Sequence, residues 1–233
     1  MQLKFFLILI LVFYNQYVCA EQIAPRQATH LFILAGQSNM ARLNPDLSFV
    51  PTLKNALPND QLLFIKDAKG GQAIRQWRKN TAPQKANTSA EDNDKLYQKL
   101  LHKIMRQLHR YPIDTITFIW MQGERDAQDH LSANYGYELS ELINQLKQDT
   151  GRNDLNVVLG RLTDFGLKRR KINYDWEQIR HLQVDYAEHT PHTTWVDTDD
   201  LNGANDDLHL TVDGYYVLGE RFAQATLKLI SQP

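Results

Sequence analysis

Cysteine is nearly absent: Cys19 is the single one in 233 residues. No intramolecular disulfide framework can form, and a cysteine-rich zinc module is excluded. Charge of one sign is also lacking, with 26 Lys plus Arg against 27 Asp plus Glu and a formal net charge of -1. Such a chain offers no polycationic surface for coating nucleic acid. No GxGxxG or P-loop spacing occurs, so a nucleotide cofactor has no support. Glycine and proline are sparse, at 11 and 8, which excludes collagen-like and low-complexity chains. There is no internal repeat, and no apolar run of transmembrane length. What is present is 42% hydrophobic residues, enough to bury a core.

The longest apolar stretch, Phe5–Tyr14, follows Lys4 at the start of the chain. It is about half the roughly 20 residues a spanning helix needs. Val18 and Ala20 hold the small-residue places of a cleavage site, so residues 1–20 read as a secretory signal peptide. The expected protein is secreted or periplasmic, with no stable membrane insertion after cleavage. Removal of Cys19 with the signal leaves no thiol, so a cysteine nucleophile is excluded. Residues 21–233 are expected to form one domain.

Along that domain, short apolar runs alternate with helical patterns. The runs are His30–Ala35, Gln61–Lys66, Thr115–Met121, Leu155–Gly160 and Thr194–Asp197. Each is apolar on both strand faces, as in a parallel sheet covered by helices on both sides. Helical periodicity predicts helices over Asn93–His109, Ser132–Thr150, Tyr174–Glu188 and Val212–Ile230, with Gly151 as a stop and Thr211 as a cap. The pattern implies an α/β fold: a three-layer, doubly wound sandwich around a mainly parallel five-stranded sheet. In such sheets the site lies at the carboxyl ends of the strands. Arg78–Asp94 reads as a long polar loop or mobile linker, and within it Asn87-Thr88-Ser89 matches a glycosylation sequon.

Four motifs fall at those strand ends. Gly36-Gln37-Ser38-Asn39-Met40 follows the first run, and puts a serine hydroxyl where the sheet meets a helix. Gly70-Gly71-Gln72-Ala73-Ile74-Arg75-Gln76-Trp77 follows the second, where Gly71 can aim a backbone N–H at the same point. Trp120-Met121-Gln122-Gly123-Glu124-Arg125-Asp126-Ala127 follows the third, and the Gln122 amide can donate to a developing oxyanion. Asp206-Asp207-Leu208-His209 precedes the last helix. A serine nucleophile needs a base, and the base needs a carboxylate that fixes its tautomer. Asp206 and His209, three apart on a turn, can meet without help from another segment. Asp207 is the competing acid. Each motif alone also reads as a capping or strand-end turn. The histidines His102, His109, His189 and His192 lack the spacing of a metal site.

Together these motifs resemble the SGNH-hydrolase superfamily, with its flavodoxin-like fold. More narrowly, GQSNM, GGxxIxxW, WxQGExDA and DxxH are similar to its carbohydrate-esterase branch of sialate O-acetylesterases and acetyl xylan esterases. The resemblance covers about Leu31–Phe222. It implies Ser38 as nucleophile, His209 as base and Asp206 as its partner. It further implies an oxyanion hole made by the N–H groups of Ser38 and Gly71 with the amide of Gln122, and no metal or cofactor. Gln37, Trp77 and Glu124 are candidates for substrate contact, Trp77 as a sugar-stacking surface. A structural hydrogen bond under the nucleophile loop is the preferred role for Glu124. Gln72 and Ala73 depart from the Thr-Ser common after the double glycine.

The expected activity is removal of O-acetyl groups from a carbohydrate, which is the expected partner molecule. Alternatives are an esterase or thioesterase acting on lipid or other acyl groups, and a non-catalytic carbohydrate-binding protein of the same fold. An Asp206 that favours the imidazolium predicts a pH limb at roughly 6.5–7.5 for His209.

Overall fold

The computed structural model describes residues 26–79, 95–205 and 207–231. The expected signal peptide, the sequon, most of the polar loop and Asp206 lie outside the described residues. Five strands form one sheet: β1 (Thr29–Gly36), β2 (Gln61–Ala68), β3 (Thr115–Met121), β4 (Asn156–Gly160) and β5 (Thr193–Val196). Their order is β2-β1-β3-β4-β5 and every pairing is parallel, where the sequence predicted a mainly parallel sheet. Phe32, for example, lies between Phe64 of β2 and Thr117 of β3.

The two faces of β1 build two cores. Leu31, Ile33 and Ala35 point into one, packed with helices α3 (Lys95–Arg110), α5 (Ser132–Thr150) and α6 (Asn173–His189). Phe32 and Leu34 point into the other, with α2 (Phe49–Ala56) and α7 (Val212–Ile230). This period-2 division of an unbroken apolar run is what a strand covered on both faces requires. Full burial of each such Leu, Ile or Phe contributes about 1.5–3 kcal/mol. The edge strands β2 and β5 are only half-buried over most of their length, which fits their shorter apolar patterns.

Helix boundaries follow local chemistry. The Thr211 hydroxyl accepts from Gly214 N at 2.9 Å and starts α7, while Gly151 in the left-handed conformation ends α5. The sequence reading left residues 43–60 unassigned. They contain α2, which crosses α7 where a Cβ on Gly219 would stand 2.1 Å from Ser48 Oγ. The absence of a side chain there sets the close approach of the two helices. Among the described residues no helix is long and apolar enough to cross a membrane.

The chain runs from β1 outward to β2, then returns to β3 on the other side of β1 and continues to β5. The direction of winding therefore changes between β1 and β3. The carboxyl ends of the strands at that change are the usual ligand position in open α/β sheets.

Candidate active site

β1 ends in a turn that only glycine can make. Gly36 has φ +142°, and a Cβ on it would lie 2.0 Å from Met121 O. Gln37 N donates to Met121 O at 3.0 Å and Lys69 N to Gly36 O at 3.0 Å, so the turn is pinned to both neighbouring strands. The chain then enters the short helix α1 (Ser38–Arg42). Ser38 is its first residue and is half-buried, and first-turn N–H groups have no acceptor inside the helix. Lys66 of β2 holds the far end of α1, its Nζ donating to Ala41 O at 2.8 Å and also to Leu43 O.

The turn after β2 comes to Ser38 directly. A Cβ built on Gly70 would stand 3.6 Å from Ser38 Cβ, and Gly71 has φ +68° with open space around it. The double glycine thus brings the bare backbone of Gly70 to the serine. Gln122, after β3, is fully buried. Its Nε2 donates to Gln72 O at 3.0 Å, to Gln37 Oε1 at 3.3 Å and to Asp126 Oδ2. This differs from the expected oxyanion role. Both amide protons already have acceptors, so Gln122 holds the 70–72 turn in place and has none left for an oxyanion.

The three expected substrate contacts are corrected in the same way, because all three are buried. Trp77 is 0% exposed and packs edge-on against Trp120, centroids 5.5 Å apart. Apolar area decides its place in the core, and the adjacent polar loop does not draw it out. Gln37 lies inside, its Oε1 accepting from Arg125 N at 3.2 Å, so it ties the nucleophile turn to α4 (Glu124–Gln128). Glu124 is 2% exposed and its Oε1 accepts from Asn39 Nδ2 at 2.9 Å. It lies under the nucleophile loop and away from the surface.

His209 lies in the long connection between β5 and α7 and is half-buried. The link to the nucleophile turn is Asn39, whose side chain bonds Leu208 O at 3.2 Å and Leu210 N at 3.4 Å. Those two residues flank His209. Loss of water around His209 and the positive charge of Arg42 hold its imidazole below the ordinary value, while Asp207 acts in the opposite direction. The rise expected from an Asp206 partner is therefore opposed by burial and by Arg42. Asp207 itself is exposed.

The floor of the site holds two carboxyls in little water. Burial pushes Glu124 up to about 7 and Asp126 up to about 6, despite their hydrogen bonds from Asn39 and Gln122. Asp126 Oδ2 also accepts from Ile74 N at 3.0 Å, fixing the segment that follows the double glycine. Sequence reasoning did not assign roles to Asn39, Arg42, Asp126 or Tyr215. Asn39 and Arg42 had a legible signal, since one adjoins Ser38 and the other follows it by one helical turn. The contacts of Asp126 and Tyr215 needed the fold.

At the winding change of the sheet, the Gly70 backbone thus approaches Ser38, and the residue after Ser38 is bonded to both neighbours of His209. Comparison with known proteins agrees. A probable carbohydrate esterase of Arabidopsis thaliana is 26% identical over 188 residues, which are 79% of this chain and 64% of that relative. The chain thus spans less than two thirds of that relative's length. The crystal structure of the Arabidopsis protein superposes with TM-score 0.64 at 20% identity, over 85% of this chain and 98% of that one. A carbohydrate acetylesterase from Xanthomonas citri gives TM-score 0.64 at 18% identity, over 87% of this chain and 56% of that one. A member of the lipolytic G-D-S-L family from Veillonella parvula gives TM-score 0.52 at 14% identity, over 88% of this chain and the whole of the other. The fold is that of the SGNH, or GDSL, hydrolases. Residues 41–228 match the model of a family described as carbohydrate esterase, sialic acid-specific acetylesterase, and the chain belongs to that family.

Proposed function

We propose that this protein is an exported serine esterase that removes O-acetyl groups from a carbohydrate. The observation that supports the reading is the approach of Gly70 to Ser38, together with the bonds of Asn39, the residue after Ser38, to both neighbours of His209. His209 takes the proton of Ser38 as the hydroxyl attacks the ester carbonyl. The oxyanion is held by the N–H groups of Ser38 and Gly71, with Gln122 orienting the turn that carries Gly71. His209 then protonates the departing sugar oxygen, which leaves as the free hydroxyl. Water, activated by the same imidazole, cleaves the acetyl-enzyme and regenerates Ser38. Asp206 holds the imidazole tautomer.

Support for the acetyl-sugar substrate comes from the family and from relatives named as carbohydrate esterases. Support for export comes from the charge, apolar run and small residues of positions 1–20. The test is hydrolysis of p-nitrophenyl acetate, butyrate and octanoate, with release of acetate from acetylated sugars. Ser38→Ala should lower kcat/KM for acetate on the order of 10³-fold or more while the melting curve stays cooperative. Retention of a tenth of the activity removes Ser38 from the mechanism, and a preference for octanoate removes the acetyl reading.

A further inference from the structure

Asn39 follows the nucleophile directly, yet it is 1% exposed. All four hydrogen-bonding positions of its amide are used. Nδ2 donates to Glu124 Oε1 at 2.9 Å and to Leu208 O at 3.2 Å. Oδ1 accepts from Tyr215 Oη at 2.9 Å and from Leu210 N at 3.4 Å. One side chain therefore grips the backbone on both sides of His209.

We infer that Asn39 and Glu124 form a positioning pair that holds the His209 segment against Ser38. The inference rests on the assignment of Ser38 as nucleophile and His209 as base. The segment needs such a hold. It belongs to the stretch from Asp197 to Thr211, whose described residues include no strand or helix and are exposed at Gly203–Asn205 and at Asp207. Its other anchors hold the earlier part, where Arg161, Arg180 and Arg221 pair with Asp197, Asp199 and Asp200 and Asn202 Nδ2 donates to Asp164 Oδ1, or its end, where Thr211 N donates to Leu201 O.

Glu124 decides which way round Asn39 sits. Its Oε1 accepts from Nδ2 as a carboxylate oxygen, or as the carbonyl oxygen of the neutral acid. That leaves Oδ1 for Leu210 N and for Tyr215, whose hydroxyl stays a donor because burial pushes its pKa up to about 12. A flipped amide would set oxygen against oxygen at Glu124 and at Leu208. The other oxygen of Glu124 is buried and has no hydrogen-bond partner among the described residues. A carboxyl in that position costs stability, and its contact with Asn39 gives the cost a purpose in the site.

The experiment compares Asn39→Leu, Glu124→Leu and Glu124→Gln with wild type, and uses Ser38→Ala and His209→Ala as controls. Each variant is measured for melting, for kcat and KM separately on p-nitrophenyl acetate, and for the His209 titration by NMR. A misplaced base costs on the order of 10²-fold, so Asn39→Leu should lower kcat by about that factor with KM little changed. Its His209 should titrate higher than in wild type, because a released imidazole regains water and moves from Arg42. Glu124→Leu should behave likewise in weaker form. Glu124→Gln, which keeps an acceptor for Asn39, should retain kcat within about threefold. A folded Asn39→Leu with kcat within threefold of wild type, or with an unchanged His209 titration, overturns the inference. If Asn39→Leu fails to fold, the Glu124 pair decides: loss in Leu with retention in Gln supports it, and equal activities overturn it. Activity surviving in Ser38→Ala or His209→Ala marks a different failure, that of the esterase mechanism itself.

Discussion

Arg42 stands on the fourth residue after Ser38, on the same side of α1, and its charge reaches His209. A cation beside a base disfavours the imidazolium, so the neutral, proton-accepting form persists to lower pH. Arg42→Gln should therefore move the acidic limb of kcat/KM to higher pH, as read from a full pH–rate profile. Asp206→Asn should do the opposite, moving the limb to lower pH, and should also reduce kcat strongly through loss of tautomer control. Asp207→Asn should leave kcat within about threefold and shift the limb only slightly downward, because an exposed charge is screened. A larger kcat loss in Asp207→Asn than in Asp206→Asn would reassign the acid of the triad. Of these residues, Ser38, His209 and both aspartates were legible from their spacing. Arg42 could be placed one helical turn after Ser38, but its effect on His209 could not be read, because it depends on a residue more than 160 positions away.

At the scale of elements, the site is assembled from turns rather than from the strands themselves. The turns after β1, β2 and β3 supply Ser38, the double glycine and the Gln122–Glu124 floor, and α7 follows the loop carrying His209. Helix α7 starts at Thr211, two residues past His209, with its hydroxyl on Gly214 N. Removing that cap by Thr211→Ala should cost about 1 kcal/mol, measured by urea unfolding with an unchanged m-value. Such elements were readable in advance: Ser132–Thr150 and Val212–Ile230 have the bounds their periodicity and caps predict. Of the short helices, only the start of α1 at Ser38 was read, and α2 and α4 were not. Five to eight residues carry too few turns for a period of 3.6 to declare itself, and their helicity comes from packing against the sheet.

For the whole molecule, buried carboxyls tie stability to pH. Glu124 and Asp126 bind protons more tightly in the folded state, at about 7 and about 6. Their contribution is full below the pKa of the unfolded chain, and is lost as pH rises through about 4 to 7. Asp154, Asp175, Asp197 and Asp200 are held below the ordinary carboxylate range by hydrogen bonds and nearby cations. Their contribution is present at neutral pH and is lost on acidification. Thermal melting across pH should therefore peak on the acid side of neutrality. Glu124→Gln should flatten the fall from about pH 5 to 8. A Glu124→Gln curve parallel to wild type throughout would show that Glu124 does not titrate in that window. His209 gains its neutral form over the same interval, so activity and stability should change in opposite directions there.

The amino-acid sequence by itself determined the alternation of buried strands and amphipathic helices, because periodicity and caps are local properties. It also determined where Ser38, the double glycine and His209 fall relative to strand ends. Only the tertiary structure decided what lies behind them. Trp77 entered the core because packing with Trp120 outweighs its polar sequence neighbours. Gln122 turned its protons to Gln72 and Asp126 rather than to an oxyanion. Asn39 reached across to Leu208, Leu210 and Tyr215. A hydrogen bond needs its partner within about 3 Å, and for partners 169 to 176 positions apart only the folded sheet supplies that distance.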